Sequence, residues 1–322
     1  MPRVTASRRA ACGPPVWFLS VIVGLGAIGC KTVTSTLQHP PTREQIDQLW
    51  RRPGAARDLF SGVGGKRLTP DPAARYKVIA IKRSGFSRGY TVTDPQGHEW
   101  SVKFPPEASP EVAASRLLWG VGYHQPPIYY LASWNADKAP SPNPQLPARF
   151  REKSPDLHGL DAKQSWSYYR NPFVGTRELN GLLVLMAMLG NSDLKDQQNV
   201  VYTVKEPAEG ASTWYVARDL GQTFGRTGVL DAPRGDPTVF EQTPFITGVA
   251  NGKVQFDYRG RHKVLFANIT PADVRWICTE LRRLTPSQWR DAFRAAGFSE
   301  PVGDRFIRRM MQKIDEGLAL KD

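Results

Sequence analysis

The first third of the chain alternates between apolar and polar residues in three short runs. These runs cover residues 76–81, 90–93 and 99–104. A period of two residues is typical of strands with one buried face, and the turn residues between the runs favour tight connections, so the pattern predicts a three-stranded meander. The sequence Ser109-Pro110-Glu111 then predicts the start of a helix that continues to Trp119, because serine caps helices, proline suits the first position and glutamate suits the first turn.

The middle of the chain carries a longer apolar run without a polar face. Residues 182–189 are all apolar, which predicts a helix that is buried on every side. Thr176 is placed to cap this helix. The polar stretch 190–199, with the sequence Gly-Asn-Ser-Asp-Leu-Lys-Asp-Gln-Gln-Asn, follows directly and predicts a loop.

A hairpin is predicted after this loop. Strand-like runs lie at residues 200–204 and 214–217, and they are separated by a turn that contains proline and glycine. The hairpin ends at the sequence Arg218-Asp219-Leu220-Gly221. The residues Gln222-Thr223-Phe224-Gly225-Arg226 come next, and a stretch rich in glycine and proline then runs to about residue 244 and suits a loop that binds an acceptor.

The last third of the chain predicts a surface hairpin and three helices. The hairpin is expected from the runs at 254–258 and 264–266, and Thr270-Pro271 and Thr285-Pro286 open the first two helices. The third helix is expected to bury one face and leave its basic residues in solvent. The apolar positions are Phe306, Met310, Ile314 and Leu318, and the basic ones are Arg308, Arg309 and Lys313.

The amino terminus has a different pattern from the rest of the chain. Three arginines precede an apolar stretch at 16–29, which suits the core of a signal peptide better than a membrane span. The small residue before Cys30 resembles a bacterial lipoprotein cleavage box, although Ala27 stands where such boxes usually carry leucine. The sequence thus predicts a signal peptide at 1–30, lipidation of Cys30 and a tether at 31–72. This arrangement would place the body on a membrane of the bacterial cell envelope, facing the periplasm; the alternative is an uncleaved signal anchor.

The composition limits the chemistry and the partners. The formal charge of the 322-residue chain is +13, and removal of the first 30 residues, with three arginines and no acid, leaves +10. This charge favours anionic partners such as phosphates or lipid headgroups, whereas dispersed basic residues without a binding signature make nucleic acid an unlikely partner. Loss of Cys12 and lipidation of Cys30 leave only Cys278, so neither a disulfide nor a zinc site built on thiols is expected.

Four features together resemble the atypical kinase-like superfamily that includes HipA-type bacterial kinases, phosphatidylinositol kinases and secretory-pathway protein kinases. The features are Lys103 on the third strand, Glu111 in a helix that ends Leu-Leu-Trp-Gly-Val-Gly-Tyr, the sequence Gly190-Asn191-Ser192-Asp193, and Asp219 after the hairpin. The resemblance covers about residues 76–225. Taken alone, Lys103 would be an edge-strand lysine that faces water, and Asp-Leu-Gly would be an ordinary turn.

The resemblance implies an α+β fold with two lobes, a small β-rich lobe at 73–133 and a mainly helical lobe at 134–322. It also implies ATP and Mg²⁺ as cofactors and a set of site residues. In that set Asp193 is the catalytic base and Lys195 balances charge, while Asp219 and Asn199 bind metal. Lys103 and Glu111 orient phosphate, with Glu107 as the alternative to Glu111. Gly85 and Gly89 let backbone amides approach phosphate.

The sequence departs from the superfamily at two places. The Arg-His pair that commonly follows the aspartate is Leu194-Lys195 here, and the position of the usual loop asparagine holds Gln198, with Asn199 one residue further. Two functions therefore stay open. One is a membrane-tethered phosphotransferase that acts on a hydroxyl of an unknown protein or small molecule; the other is a catalytically inactive kinase-fold lipoprotein that binds a partner or has a structural role in the envelope.

Overall fold

The computed structural model describes residues 32–82, 87–140, 145–154, 159–205, 207, 210–228 and 232–322. From Val33 onward these residues belong to one unit. The unit has a β-rich part followed by a mainly helical part, so the predicted α+β fold with a β-rich lobe and a mainly helical lobe is confirmed. Cys30 and Gly85 lie outside the described residues, and no helix among the residues described is long and apolar enough to span a bilayer.

The segment from 32 to 72 is packed against the body, so its prediction as a tether is wrong. It contains the short strand β1 (Thr34–Ser35) and the helix α1 (Arg43–Ile46), which a complete capping box at Thr42 stabilises. Trp50 explains the packing, because its indole is only 2% exposed and contacts the ring of Trp276 in the helical part of the chain. Aromatic burial of this kind holds the segment in place.

The β-rich lobe is a six-stranded sheet. Its strands are β2 (Arg75–Lys82), β3 (Gly89–Thr93), β4 (Glu99–Lys103), β5 (Ile128–Leu131), β6 (Asn135–Asp137) and β7 (Ala148–Glu152), in the spatial order β5-β7-β4-β3-β2-β6. Strands β2, β3 and β4 form the predicted antiparallel meander. Because β6 and β7 complete the same sheet, the lobe extends to residue 152, and the boundary predicted at 133 and 134 is wrong.

Helix α2 (Ala108–Gly120) covers this sheet, packing on β5 and β7. It begins one residue before the predicted Ser109 cap, and Glu107 is the N-cap residue without a side-chain capping bond. The carboxylate of Glu107 lies instead next to Lys103, at 3.2 Å. The N-cap side chain of this helix thus serves an ion pair rather than a capping bond.

The helical lobe contains the remaining elements. In chain order they are β8 (Leu160–Gln164), β9 (Arg170–Asn171), α3 (Arg177–Leu189), β10 (Val200–Val204), β11 (Thr213–Val216), α4 (Pro237–Gln242), β12 (Ile246–Ala250), β13 (Lys253–Phe256), α5 (Pro271–Arg282), α6 (Pro286–Arg294) and α7 (Glu300–Leu318). Strand β9 pairs with β1, and β10 pairs with both β8 and β11. The cap at Thr176 and the capping boxes at Thr270 and Thr285 agree with the sequence analysis.

Two predictions in this lobe are wrong. Strand β13 pairs with β12 rather than with residues 264–266, which lie in a short 3₁₀ helix. Arg309 and Lys313 were expected on the solvent face of α7, yet both are buried. Lys313 donates to the carbonyl oxygen of Met188 at 2.8 Å, because α3 ends at this point and leaves that carbonyl exposed to the incoming side chain.

Candidate active site

Lys103 stands at the end of β4 and is the centre of the candidate site. Its ammonium nitrogen lies 2.9 Å from a carboxylate oxygen of Glu111 and 3.2 Å from one of Glu107. It also forms an ion pair and hydrogen bond with Asp219. Lys103 is buried, so the reading of this residue as an edge-strand lysine facing water does not apply.

Both glutamates that were considered as partners of Lys103 reach it. Glu107 and Glu111 are one helical turn apart at the start of α2, and residues four apart lie on the same face of a helix. Glu111 is also paired with Arg149 at 3.2 Å and with Arg151 at 3.5 Å. These two arginines are two residues apart on β7, which places both on one face of the sheet.

The charges in this cluster stabilise each other. Burial by itself lowers the pKa of Lys103, but the surrounding carboxylates, Glu111 foremost, raise it above its ordinary value. Burial by itself raises the pKa of Glu111, but Arg149 and Lys103 lower it below its usual range. Both side chains are therefore held in their charged forms.

Asp219 follows β11 and connects the two lobes electrostatically. Burial raises its pKa, yet Lys103 outweighs this effect and lowers the pKa well below the ordinary value. Its backbone has a φ angle of 59°, a left-handed conformation that residues other than glycine seldom adopt. Strained residues persist only where the surrounding structure holds them in place, and they occur preferentially at functional sites.

Asp193 lies close to Asp219 because one amide bridges them. The Nε2 atom of Gln198 donates to Oδ2 of Asp193 and to Oδ2 of Asp219, at 2.8 Å in both cases. Two carboxylates bound to one nitrogen must lie within two hydrogen-bond lengths of each other. Asp193 is oriented further by its backbone N–H, which donates to Asn191 at 2.9 Å, and by the exposed ammonium of Lys195 at 2.7 Å.

Asn199 does not join this cluster. Its side chain is 1% exposed, and its amide donates to the carbonyl oxygen of Trp166 at 3.3 Å. The loop forms a 3₁₀ turn at Asp196–Gln198, and the turn directs the amide of Gln198, not that of Asn199, towards the two aspartates.

A narrow cleft of about 170 Å³ lies beside these residues. Its wall is strongly basic. The cationic residues that line it are Lys82, Arg88, Lys103, Arg149, Arg151 and Arg218, and Asp219 is the acidic one. Gly89 lies at the cleft as well, but an added Cβ would approach the carbonyl oxygen of Val102 to 2.4 Å, so pairing with β4 alone already requires a glycine there.

The arginines of this site were missed in the sequence analysis. Arg149 and Arg151 alternate with the buried Phe150 in the sequence Ala-Arg-Phe-Arg-Glu, a two-residue period that indicates a strand with both arginines on one face. Four prolines at positions 140, 142, 144 and 147 precede this strand, and they predict a loop rather than a sheet strand. Arg234 lies far along the chain, and it reaches Glu107 by an ion pair that no local pattern announces.

Comparison with known proteins finds no matching family model and no match among curated proteins. The solved structures that are similar to this chain include three of kinases. A proinflammatory kinase of Helicobacter pylori, CtkA, is 12% identical, with 71% of this chain and 92% of that chain covered and a TM-score of 0.41. The Golgi casein kinase is 12% identical, with coverage of 81% and 74% and a TM-score of 0.39, and its structure with Mn/ADP bound gives the same identity and coverage with a TM-score of 0.36.

Similarities at this level say nothing about a substrate. In this chain Lys103 from the sheet lobe meets Glu111 from α2 and Asp219 from the helical lobe. Asp193 lies one amide away.

Proposed function

We propose that the chain is a phosphotransferase that moves the γ-phosphoryl group of ATP to a hydroxyl acceptor. The observation that carries this proposal is the meeting of Lys103 and Asp219 at a basic cleft, with Asp193 joined to Asp219 through the amide of Gln198. A purely structural role would not require two aspartates within two hydrogen bonds of each other. Neighbouring carboxylates repel one another even when they are partly exposed, as Asp193 and Asp219 are, and such pairs occur preferentially at functional sites.

The cleft suits the phosphates of a nucleotide. Lys103 supplies a point charge, and the guanidinium groups of Arg151 and Arg218 supply planar donors that match phosphate oxygens. Two polar atoms at the cleft, Oγ of Ser87 and Nε of Arg149, are buried without a hydrogen-bond partner in the described part of the chain. Buried polar groups without partners are uncommon, and a bound anion would satisfy the Arg149 donor.

The residues present also fit a divalent cation such as Mg²⁺. The Oε1 atom of Gln198 is buried and has no hydrogen-bond partner among the described residues. A flip of the Gln198 side-chain amide would exchange the positions of Oε1 and Nε2. Three oxygens, from Asp193, Gln198 and Asp219, would then face one point. Oxygen donors of this kind are the ones that Mg²⁺ prefers. A bound cation would supply neutralisation of the phosphate charge.

Asp193 is placed to accept the proton of the acceptor hydroxyl. In the transfer the acceptor oxygen forms a bond to the γ-phosphorus, the bond to the β,γ-bridging oxygen breaks, and the proton passes to a carboxylate oxygen of Asp193. Lys195 is exposed and paired with Asp193, so it can also balance negative charge on an incoming group.

One observation favours a second function, binding without catalysis. The cleft of about 170 Å³ is smaller than the roughly 300–1,000 Å³ typical of sites for drug-sized ligands. A kinase-fold module that holds a smaller anion would fit this volume without any movement of the lobes.

The membrane anchor belongs to the same proposal. We infer from the sequence Ala27-Ile28-Gly29-Cys30 that the mature protein starts at a lipidated Cys30 and is held on the cell envelope. Labelling of cells with a radioactive fatty acid tests this point. Wild type should incorporate label and Cys30→Ser should not, and equal labelling of the two would exclude lipidation at this cysteine.

Thermal melting and phosphate transfer together test the catalytic proposal. Mg-ATP at 100 times its dissociation constant should stabilise wild type by about 2.7 kcal/mol, and Lys103→Met should reduce this effect. Asp193→Asn should keep the stabilisation but lose about 100-fold or more of the transfer rate, whereas the exposed Asp161→Asn should behave as wild type. Stabilisation by ATP without any transfer would favour binding without catalysis. No stabilisation at all would contradict the phosphotransferase and favour the module that holds a smaller anion.

A further inference from the structure

The strongest feature that the proposed function leaves unexplained is Arg234. This residue lies in the segment that connects Asp219 to α4, of which 220–228 and 232–236 are described. Its side chain is only 5% exposed, and its guanidinium pairs with Glu107 at the start of α2. The guanidinium of Arg234 does not line the phosphate cleft. Its burial calls for an explanation, since burial of a charged group is costly unless the group is paired.

Glu107 has two cationic partners on opposite sides. One carboxylate oxygen lies 3.2 Å from the ammonium of Lys103, and the other is held by Arg234. Lys103 is shared with Glu111 and Asp219, and Arg149 and Arg151 pair with Glu111 rather than with Glu107. Arg234 therefore gives Glu107 a cation of its own.

The same segment touches the first turn of α2 at two more points. The hydroxyl of Thr223, which is fully buried, shares its proton between the carbonyl oxygens of Leu220 at 2.9 Å and Pro110 at 3.3 Å. Gly221 lies so close to Glu107 that an added Cβ would approach the glutamate Cβ to 2.6 Å. The segment after Asp219 and the first turn of α2 are therefore fitted to each other by shape, by a hydrogen bond and by an ion pair.

We propose that Arg234 is a positioning residue of the phosphotransfer site: through Glu107 it fixes the first turn of α2 against the segment after Asp219, and so keeps Lys103 enclosed by Glu107, Glu111 and Asp219. The proposal rests on the proposed function for its catalytic meaning. In kinases whose activation loops are ordered by phosphorylation, a phosphate paired with arginine supplies such a link. Here a glutamate and an arginine encoded in the chain supply it permanently, so the site assembles without modification of this segment.

Hydrogen exchange of the full chain without nucleotide tests the link itself. In Arg234→Met the amides of residues 111–115 should exchange about tenfold faster than in wild type, which corresponds to about 1.4 kcal/mol. Arg226 is the matched control, because it lies in the same segment and its side chain is exposed. Arg226→Met should leave the exchange of α2 unchanged. If the amides of α2 exchange in Arg234→Met at the wild-type rate, the proposal is wrong.

A double-mutant cycle separates positioning from general stability. Glu107→Gln alone should accelerate exchange of α2, and addition of Arg234→Met to it should add little, since the two side chains form one link. If the two effects simply add, Arg234 acts elsewhere and the proposal is wrong. Should Arg234→Met fail to fold, Arg234→Lys and Glu107→Gln decide, because lysine keeps the charge and should restore part of the protection.

Transfer kinetics show whether the link matters for the reaction. Using unmodified, phosphatase-treated protein and Mg-ATP, Arg234→Met should lower kcat about tenfold, and Arg234→Lys should recover part of it, while Arg226→Met keeps the wild-type value. Equal kcat in Arg234→Met and wild type would contradict a positioning role. If wild type neither binds nucleotide nor transfers phosphate, the proposed function fails, but the exchange experiment still decides whether Arg234 holds α2.

Discussion

At the scale of single residues, Gln198 and Asn199 show that one position in a loop decides which amide reaches the acidic pair. Both residues carry the same functional group and are neighbours in sequence. Gln198 contacts Asp193 and Asp219, whereas Asn199 is buried against Trp166. Spacing along the chain alone could not choose between them, because the choice depends on the 3₁₀ turn at Asp196–Gln198.

Because the two amides have different partners, we expect substitution of Gln198 to change the affinity for a metal ion and substitution of Asn199 to change stability. Gln198→Leu should weaken Mn²⁺ binding about tenfold or more, because it removes an oxygen from the proposed cation site. Asn199→Ala should lower the free energy of unfolding but leave the Mn²⁺ affinity unchanged, and the exposed Gln164→Leu should change neither. Electron paramagnetic resonance of free Mn²⁺, without nucleotide, measures the affinity. Equal affinity in Gln198→Leu and wild type would remove Gln198 from the site.

A second residue with an unusual environment is Lys313. It is fully buried, lies 3.8 Å from the centre of the Phe240 ring and donates to Met188. Burial, with a smaller effect from Arg309, lowers its pKa well below the ordinary value, and Glu316 and Asp257 oppose this only in part. Met188 lies at the end of α3, directly before the loop that carries Asp193, so this lysine supports the loop from the side of the core.

The lowered pKa of Lys313 predicts a pH dependence of stability. Between the lowered folded-state pKa and about 10.4, the ordinary value, the unfolded chain binds a proton that the folded chain does not. The free energy of unfolding therefore rises with pH in this window, by up to about 1.4 kcal/mol per pH unit. Lys313→Met should lack this rise, and the exposed Lys321→Met should retain it. Urea unfolding between about pH 7 and pH 10 measures the three slopes; parallel slopes would show that Lys313 stays charged.

At the scale of elements, α3 and the loop after it form the most direct link between fold and site. The helix ends at Gly190, whose φ angle of 75° is left-handed, and an added Cβ would lie 3.2 Å from the carbonyl oxygen of Gly225. The helix end is thus held by the segment after Asp219, and the loop to Asp193 leaves from there.

Substitution of this glycine should affect both stability and the site. Gly190→Ala should cost about 1–2 kcal/mol for the left-handed backbone, and the close approach to Gly225 should add to this loss. Gly97 is the matched control, since its φ angle is 88° and no atom lies within 4 Å of an added Cβ. Chemical unfolding and Mn²⁺ titration compare the two variants. Equal losses of stability and an unchanged Mn²⁺ affinity in both variants would show that the loop carrying Asp193 does not depend on the end of α3.

At the scale of the whole molecule, the segment at 32–72 joins parts that the sequence suggested were separate. The indole N–H of Trp50 donates to the carbonyl oxygen of Val121, just after α2, at 2.7 Å. Its ring contacts Trp276 on α5, and Arg52 pairs with the buried Glu280 on the same helix. The segment therefore ties the helix of the sheet lobe to the helical lobe.

Loss of this contact should destabilise the protein as a whole. Trp50→Ala should lower the free energy of unfolding by about 3–5 kcal/mol, as is usual for a buried tryptophan. Phe60→Ala, at a side chain in the same segment that is 45% exposed, should cost about 1 kcal/mol or less. Urea denaturation followed by both fluorescence and circular dichroism measures the change. A wild-type midpoint for Trp50→Ala would mean that the segment contributes nothing to the fold.

The sequence by itself determined the elements whose signals are local. The meander before α2, the cap and core of α3, the hairpin that leads to Asp219 and the caps of α5 and α6 all follow from periodicity and capping, which depend on neighbours a few residues apart. The choice of Lys103, Asp193 and Asp219 as site candidates came from their order between these elements.

The tertiary structure alone decided the contacts between distant parts of the chain. It assigned the bridging amide to Gln198, brought Arg149 and Arg234 to Glu111 and Glu107, buried Lys313, and packed residues 32–72 onto the body. The physical reason is that charges and aromatic rings take their partners from whatever lies nearby in space, and neither periodicity nor propensity records which distant residues those are.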